Sequence, residues 1–299
     1  MRACRTITRR TFLKATAAGA LAAGGLACGN KRDATIGSKN FQEQWILAAL
    51  IAELINRRDK KAVTKDLSGT FLCHKGIVSG SLDAYVEYTG TAFTAVLERE
   101  PITDTEKVYE DVKAAYAEKF DILVLPPLGF ENTYAILVRP EDAERHSLAK
   151  ISDLTRIQSD LTFGIGFEFY DRADGYPGLL KTYGLSPGNA PRQMELGLIY
   201  RALESKQVDV IAGNSTDGMI AAMGLVMLED DRRYFPPYDA VPLLRRASAT
   251  KTPALRAVLE ALGNKISAEA MRNANFLVDG EKRSPKTAAR HLIDTLELG

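Results

Sequence analysis

The stretch LPPLGF, Leu125 to Phe130, and its counterpart FPPYDA, Phe235 to Ala240, bracket the middle of this 299-residue chain. Proline fixes the backbone and removes an N–H donor, so a diproline is poorly suited to the interior of a helix or strand. The two stretches are therefore either crossovers between two domains or ordinary surface turns. If both are crossovers, residues 34–129 plus 238–299 form lobe I and residues 130–237 form lobe II.

Short apolar runs alternate with helical patterns from Ala34 onward, which predicts an α/β fold in which each lobe has a mixed sheet flanked by helices. A first helix is expected from about Phe41 to Arg57, with Asn40 and Glu43 as a capping pair. The tail after Val241 is expected to be mostly helical, with a helix start at Ser284-Pro285. The predicted strands are Ala34–Gly37, Ala84–Glu87, Tyr134–Val138, Leu161–Ile165, Val208–Ala212 and Leu225–Leu228.

Composition narrows the classes of function that this chain can have. A chain of this length with 45% hydrophobic residues can bury the cores of about two domains. Its net charge of +1 provides no basic field for nucleic acid. The histidines and cysteines form no metal-ligand or disulfide pattern, and no phosphate-binding loop is present, so we expect no metal and no cofactor. The adjacent pair Cys73-His74 leaves a hydrolase as the enzymatic alternative, against a buried cysteine beside a structural histidine.

The N-terminal segment 1–28 resembles a twin-arginine export signal that is removed from the mature protein. Arg9-Arg10 precedes an apolar, Ala/Gly-rich run from Ala15 to Ala27, which is too short to span a bilayer comfortably, since that takes about 20 residues. Cys28 then has two outcomes, lipidation after cleavage just before it or export of a soluble protein. Either outcome predicts a periplasmic or cell-surface location.

Polar and aromatic residues recur at the predicted joints between a strand and the helix after it. The first joint carries Lys39, the second carries Tyr88 and Thr91 around Gly90, and the third carries Arg172. Ligands of open α/β sheets bind at the carboxyl ends of strands, near helix N-termini that attract anions. A lysine, a hydroxyl and an arginine together suit a carboxylate.

Seven ordered blocks resemble the substrate-binding proteins of ABC importers for quaternary amines such as glycine betaine, carnitine and choline. The resemblance extends from about Ala34 to the C-terminus and implies a two-lobed, type II periplasmic-binding-protein fold with two crossovers. The blocks are IGSKNFQEQWIL, GSLDAYVEYTGTA, GFENTYAILV, EFYDRADGYPGLLKTYG, NSTDG, FPPYDAVPLLRR and SAEAMRNANFLVDGEKRSPKTAARHL.

The resemblance also implies a binding site, in which aromatic rings box the cationic head and basic and hydroxyl groups hold the carboxylate. By position, Lys39, Thr91 and Arg172 match the carboxylate-holding residues, whereas Tyr88, Tyr134 and Tyr238 match the box. A quaternary ammonium has no N–H to donate, so ring faces must attract it.

One position departs from the family pattern, because Asn214 stands where a box tyrosine is common. The site then binds the usual ligands weakly, another ring such as Phe130 or Phe169 substitutes, or the ligand is larger and has a polar group for Asn214. Glu131 also stands where an asparagine is usual, either near the site or facing solvent.

These patterns predict an exported, monomeric, non-enzymatic receptor that captures a quaternary ammonium solute between two lobes and delivers it to an ABC permease. Lys39, Tyr88 and Thr91 on one lobe and Arg172 on the other would make ligand binding favour the closed state. The alternative on the same scaffold is a different amino-acid-like solute or a larger betaine that Asn214 selects.

Overall fold

The computed structural model describes residues 32–298, so the predictions for segment 1–28 and Cys28 lie outside the described residues. Two five-stranded mixed sheets, each flanked by helices, organise this part of the chain, and the predicted fold class is thereby confirmed. The first sheet has the order β2-β1-β3-β10-β4, in which β10 is antiparallel to both of its neighbours. Its strands are β1 (Ala34–Ser38), β2 (Ala62–Asp66), β3 (Ala84–Tyr88), β4 (Ile122–Val124) and β10 (Ala240–Arg245).

The second sheet has the order β7-β6-β8-β5-β9, in which β5 is antiparallel to β8 and β9. Unlike the first sheet, it is built from a single continuous part of the chain. Its strands are β5 (Tyr134–Val138), β6 (Phe163–Ile165), β7 (Arg192–Gln193), β8 (Val210–Asn214) and β9 (Val226–Met227).

Helices fill the connections and cover both sheets. The short helix α3 continues directly into a π-helical turn over Ala92–Val96, and two 3-10 turns follow α5 at Ile151–Arg156 and Gln158–Asp160. The α-helices are α1 (Gln42–Asn56), α2 (Thr70–Ser79), α3 (Thr89–Thr91), α4 (Thr105–Phe120), α5 (Pro140–His146), α6 (Phe167–Asp171), α7 (Tyr176–Tyr183), α8 (Leu196–Glu204), α9 (Met219–Ala222), α10 (Arg246–Lys251), α11 (Pro253–Ala261), α12 (Ala268–Asp279) and α13 (Pro285–Thr295).

Both diproline stretches lie in the connections between the two sheets, one between β4 and β5 and the other between β9 and β10. The two connections run side by side, since the Asn132 N–H donates to the Tyr238 carbonyl at 3.0 Å and the Ala240 N–H to the Phe130 carbonyl at 3.0 Å. Two adjacent connecting segments between two sheets have the geometry of a hinge.

Helix α1 differs from its prediction at its start. Phe41, not Asn40, is the N-cap residue, and no side chain caps the helix. Glu43 does not reach back to the helix start because it is fully buried and bonded elsewhere. Most of the helix is buried on all sides, because α11, α12 and α13 cover the face that is turned away from the first sheet.

Three further local predictions agree with the structure. The strand Tyr134–Val138 and the helix start at Ser284-Pro285 are confirmed, the latter with the Ser284 hydroxyl accepting from the Thr287 N–H. The mostly helical tail after Val241 is also confirmed, since α10 to α13 make up most of it once β10 has ended at Arg245. Among residues 32–298, no helix is long and apolar enough to cross a membrane.

Candidate functional site

A cavity of about 220 Å³ lies where strand ends of the two sheets face each other. Strand register explains why the predicted residues meet there. Tyr88, the last residue of β3, pairs with Ala240 at the start of the antiparallel β10. In the second sheet, Tyr134 at the start of β5 pairs with Asn214 at the end of β8. Both pairs lie at the sheet edge where open α/β folds bind ligands.

All seven residues proposed from the sequence line this one cavity. The lining also contains aromatic and acidic residues that the sequence analysis did not propose, chiefly Phe41, Phe167 and Glu168. The seven are Lys39, Tyr88, Thr91, Tyr134, Arg172, Asn214 and Tyr238.

Tyr88 is held from behind by the buried carboxylate of Glu43. Its hydroxyl donates to Glu43 Oε1 at 2.6 Å, and Asn132 Nδ2 donates to the same oxygen at 2.9 Å. Thr216 Oγ1 and Asn275 Nδ2 donate to Oε2 at 2.5 and 3.0 Å. Burial raises the pKa of Glu43 although these four hydrogen bonds act to lower it. The carboxylate thus ties α1 to β3, a crossover, the loop after β8 and helix α12.

Tyr238 is held in a similar way by Asp174, but with a cation present. Its hydroxyl donates to Asp174 Oδ2 at 2.7 Å, and Arg172 donates to both oxygens of Asp174 at 2.8 and 2.5 Å. Thr94 Oγ1 is a fourth donor at 2.6 Å. Burial acts to raise the pKa of Asp174, but the bonds from Arg172, Thr94 and Tyr238 outweigh it and lower that pKa.

Arg172 also reaches across the cavity to the first sheet. Its Nη1 donates to the hydroxyl of Thr91 at 3.3 Å, and its guanidinium lies 5.8 Å from the centroid of the Tyr134 ring. The Thr91 hydroxyl keeps its own proton available for another acceptor.

Lys39 is a buried cation with an internal partner, since its ammonium forms a salt bridge with the buried Glu87. The ammonium also lies 5.1 Å from the centroid of the Tyr88 ring. Both basic residues of the cavity, Lys39 and Arg172, are therefore already paired with a carboxylate.

The remaining rings form one aromatic group. The Tyr134 ring centroid lies 4.5 Å from that of Phe169 and 5.7 Å from that of Tyr238. Phe169 lines the cavity, as one interpretation of the missing box tyrosine required, whereas Phe130 is buried and is not part of the lining. Gly90 allows Tyr238 to approach, because a Cβ there would lie 2.8 Å from its ring and 2.6 Å from the Pro237 carbonyl oxygen.

Asn214 has an oriented amide. Its Nδ2 donates to both oxygens of Asp217 at 3.3 and 3.4 Å, and its backbone N–H donates to Asp217 Oδ2 at 2.9 Å. The NH₂ group therefore points to Asp217, and the amide oxygen is left as an acceptor. Glu131, the other departure from the family pattern, is exposed and does not line the cavity.

A pair of hydrogen bonds joins α6 to α2 at the wall of the cavity. Glu168, at the start of α6, accepts from the N–H and the hydroxyl of Thr70, the first residue of α2, at 2.9 and 3.2 Å. A carboxylate at a helix N-terminus is favoured by the helix dipole. Gly69 has φ +136°, and a Cβ there would lie 2.4 Å from Glu168 Oε1, so only glycine leaves room for this contact.

Cys73 and His74 have the properties of structural residues. Cys73 is fully buried, its Sγ donates to the Ser38 carbonyl at 3.4 Å, and burial raises its pKa to about 12. The thiol is therefore protonated at neutral pH and unsuited to act as a nucleophile. Burial lowers the pKa of His74, whose ring packs edge-on against Phe120 at 4.7 Å. Among residues 32–298, no group of three or more His, Cys, Asp or Glu is placed to hold a metal ion.

The sequence offered a signal for some of the missed residues. Phe167 and Glu168 begin α6, one residue after β6 ends, so the same rule of strand-to-helix joints would have selected them. Glu43 had no such signal, because its partners come from positions 88, 132, 216 and 275, which the sequence leaves far apart.

Comparison with known proteins identifies the protein family to which this chain belongs. The sequence profile of one family, described as the substrate binding domain of an ABC-type glycine betaine transport system, matches residues 32–295. A carnitine transport binding protein of Listeria monocytogenes serotype 1/2a (strain 10403S) is 33% identical over 270 residues, covering 89% of this chain and 87% of that protein.

Two further matches are of similar strength. An ergothioneine transport permease/ergothioneine binding protein of Helicobacter pylori (strain G27) is 32% identical over 272 residues, covering 90% of this chain and 48% of that protein. The crystal structure of a glycine betaine/carnitine/choline ABC transporter component superimposes with a TM-score of 0.74 at 31% identity, covering 89% of this chain and 99% of that chain. The chain belongs to the family of substrate-binding domains of ABC-type glycine betaine transport systems.

Proposed function

We propose that this protein binds a small quaternary ammonium solute of the glycine betaine, carnitine or choline type in the cavity between its two sheets. It delivers the solute to the transmembrane permease of an ABC importer. The observation that carries the proposal is that all seven residues proposed from the sequence, from both sheets and a crossover, line one cavity.

Tyr88, Tyr134 and Tyr238 attract the cationic head. Each ring contributes about 0.5 to 2 kcal/mol to the binding of a quaternary ammonium, so three converging rings give useful affinity without any hydrogen bond to the nitrogen. Two of these rings donate their hydroxyl to a buried carboxylate, Glu43 or Asp174. Such donation raises the electron density of a ring and strengthens its attraction for a cation.

Arg172, Thr91 and Lys39 hold the ligand carboxylate. Because Asp174 and Glu87 already neutralise the two cations, the carboxylate gains mainly the donors that remain free on them and on Thr91. Hydrogen bonds of this charged kind contribute about 1.5 to 3 kcal/mol each.

The ligand links two lobes, which we place at residues 34–129 plus 238–299 and residues 130–237. Lys39, Tyr88 and Thr91 come from the first lobe and Arg172 from the second, so one bound solute satisfies both only when the cleft is closed. The bonds of Glu168 to Thr70 and of Thr216 to Glu43 support the same closed arrangement.

Delivery to a permease requires export of the protein. The Arg9-Arg10 pair and the apolar run after it support a twin-arginine signal over residues 1–28 and a periplasmic or cell-surface location. Cys28 is the candidate lipid anchor, and we propose that the mature protein acts as a monomer.

Isothermal titration calorimetry tests this function. The panel comprises glycine betaine, carnitine, choline and ergothioneine, a betaine included because of the Helicobacter relative, with glycine, proline and histidine as ligands that lack a quaternary nitrogen. At least one quaternary compound is expected to bind more tightly than every compound without one. Tight binding only of the latter group would contradict the proposal and favour another amino-acid-like solute.

A further inference from the structure

A second cavity of about 280 Å³ adjoins the ligand cavity. Phe41, Leu196 and Asn214 line both, so these three side chains form the partition between the two spaces. The far wall of the second cavity comes from helix α8, from the turn that holds Asp217, from α9 and from the end of α12.

Asn214 is the polar residue of this partition, and its amide is fixed from the far side. Asp217 accepts from the Asn214 amide, and Tyr200 Oη donates to Asp217 Oδ2 at 2.5 Å. The arrangement leaves the amide oxygen of Asn214 without a donor among residues 32–298. An acceptor at this place is satisfied best by an N–H or O–H group of the ligand.

The second cavity favours donors as well. Its titratable lining consists of the carboxylates Asp217, Asp279 and Glu204, the bases Arg201 and Lys282, and the phenol of Tyr200. Burial and the neighbouring Asp217 raise the pKa of Asp279 to about 7, and burial raises the pKa of Asp217. Above its raised pKa Asp279 is ionised, so three carboxylates then face two bases around a space that shares three lining residues with the ligand cavity.

We propose that Asn214 is a specificity-determining residue that admits a larger betaine, one whose side chain carries an N–H or O–H donor and extends past Asn214 into the second cavity. The ligand keeps its quaternary ammonium and carboxylate in the first cavity, so this inference rests on the proposed function. The donor bonds to the Asn214 amide oxygen and faces Asp217 and Asp279. A simple betaine such as glycine betaine leaves the second cavity to water.

Three synthetic ligands that share a trimethylammonium and an α-carboxylate separate size from hydrogen bonding. Glycine betaine has no side chain, phenylalanine betaine has a ring without a donor, and histidine betaine has a ring with an N–H. At pH 8, where the imidazole is neutral, histidine betaine is expected to bind about tenfold or more tightly than either of the others, the scale of one buried hydrogen bond.

Two variants test whether Asn214, in the partition between the two cavities, causes the preference for histidine betaine. Asn214→Leu keeps the branched shape and the number of side-chain heavy atoms but removes the amide oxygen, and it is expected to reduce the preference for histidine betaine over phenylalanine betaine by about tenfold. Asp279→Asn, which alters the far cavity alone, is expected to reduce that preference by a smaller factor. The wild-type ligand series decides the question even if neither variant folds.

The outcomes are distinguishable. Equal affinity for histidine and phenylalanine betaine, or tightest binding of glycine betaine, overturns this inference while the proposed function stands. A preference that survives Asn214→Leu overturns the role of Asn214. No binding of any betaine overturns this inference, and if choline does not bind either, the proposed function is overturned with it.

Discussion

Glu43 and Asp174 are two carboxylates buried behind opposite parts of one cavity, and each accepts the hydroxyl of a cavity tyrosine. Glu43 receives its four hydrogen bonds from neutral groups only, and burial raises its pKa. Asp174 has Arg172 beside it, and the net effect of burial and its donors is a lowered pKa. For a buried carboxylate, four hydrogen bonds from neutral donors therefore stabilise the charged form less than donors that include a neighbouring cation.

The difference assigns different roles to the two carboxylates. The Arg172–Asp174 pair is nearly neutral as a unit, so it can orient Tyr238 and offer guanidinium donors to a ligand. Glu43 has no cation among its four hydrogen-bond donors, so its part is to tie Tyr88 to Asn132, Thr216 and Asn275.

The largest expected effect comes from removing the carboxylate that has a cation. Asp174→Asn leaves the Arg172 guanidinium buried without a counter-charge, so the free energy of unfolding should fall by about 3 to 5 kcal/mol. Glu43→Gln, the matched change, removes a charge that is costly to bury and should cost only about 1 to 3 kcal/mol. Urea denaturation monitored by circular dichroism measures both. A larger loss for Glu43→Gln would reverse the comparison.

The pH dependence of stability should differ between the two sites. Since the folded pKa of Glu43 lies above its ordinary value of 4.5, its favourable contribution is present below pH 4.5 and is lost as pH rises through the folded pKa. The loss is about 1.4 kcal/mol for each unit of pKa shift.

Subtracting the urea-unfolding profile of Glu43→Gln from that of the wild type isolates this contribution from other shifted groups. The Arg172–Asp174 pair should show the opposite trend, with stability present above pH 3.8 and lost as pH falls through the lowered pKa of Asp174. A wild-type minus Glu43→Gln difference that does not change with pH would show that the Glu43 pKa is not raised.

Thr91→Val tests the part of the cavity proposed to hold the anion; it removes one acceptor of Arg172 Nη1 but keeps both bonds of Arg172 to Asp174. Valine has the shape of threonine but lacks the hydroxyl, so the affinity for glycine betaine should fall by about three- to tenfold, the scale of one hydrogen bond. Choline has the same cationic head but no carboxylate, and its affinity should change by a smaller factor. Calorimetry that gave equal losses for both ligands would place the carboxylate elsewhere.

The smallest effects are expected from the tyrosine hydroxyls. Tyr88→Phe and Tyr238→Phe keep both rings, so each should lower the affinity for choline by less than about tenfold. Tyr88→Phe should have the greater effect on stability, because Glu43 has no cation to compensate for a lost donor. Parallel calorimetry and thermal unfolding of the two variants provide the comparison. A loss of choline affinity well beyond tenfold would show that the hydroxyls contact the ligand.

The sequence predicts those features that depend on short-range patterns. The diproline stretches, the alternation of strands and helices and the joints at Lys39, Tyr88 and Arg172 are all legible from a few neighbouring residues. The Asn40–Glu43 capping prediction was wrong because the same spacing also permits Glu43 to turn into the core. Tertiary partners decided between the two, and no local pattern contains them.

For the same reason, the sequence did not predict that the two cations of the cavity, Lys39 and Arg172, pair with carboxylates of the protein itself. Lys39 meets Glu87 through the packing of β1 beside β3, and Arg172 meets Asp174 through a turn that local sequence does not specify. The role of Gly90 is a similar case. The structure requires glycine there for the approach of the Pro237 carbonyl and the Tyr238 ring, which come from a distant part of the sequence.

A crystal structure with bound glycine betaine tests the central claim most directly. The account predicts the quaternary nitrogen within about 6 Å of the ring centroids of Tyr88, Tyr134 and Tyr238. It also predicts the ligand carboxylate within hydrogen-bonding distance of Arg172 and Thr91. A ligand bound in the reverse orientation, or outside the cavity between the two sheets, would contradict the account.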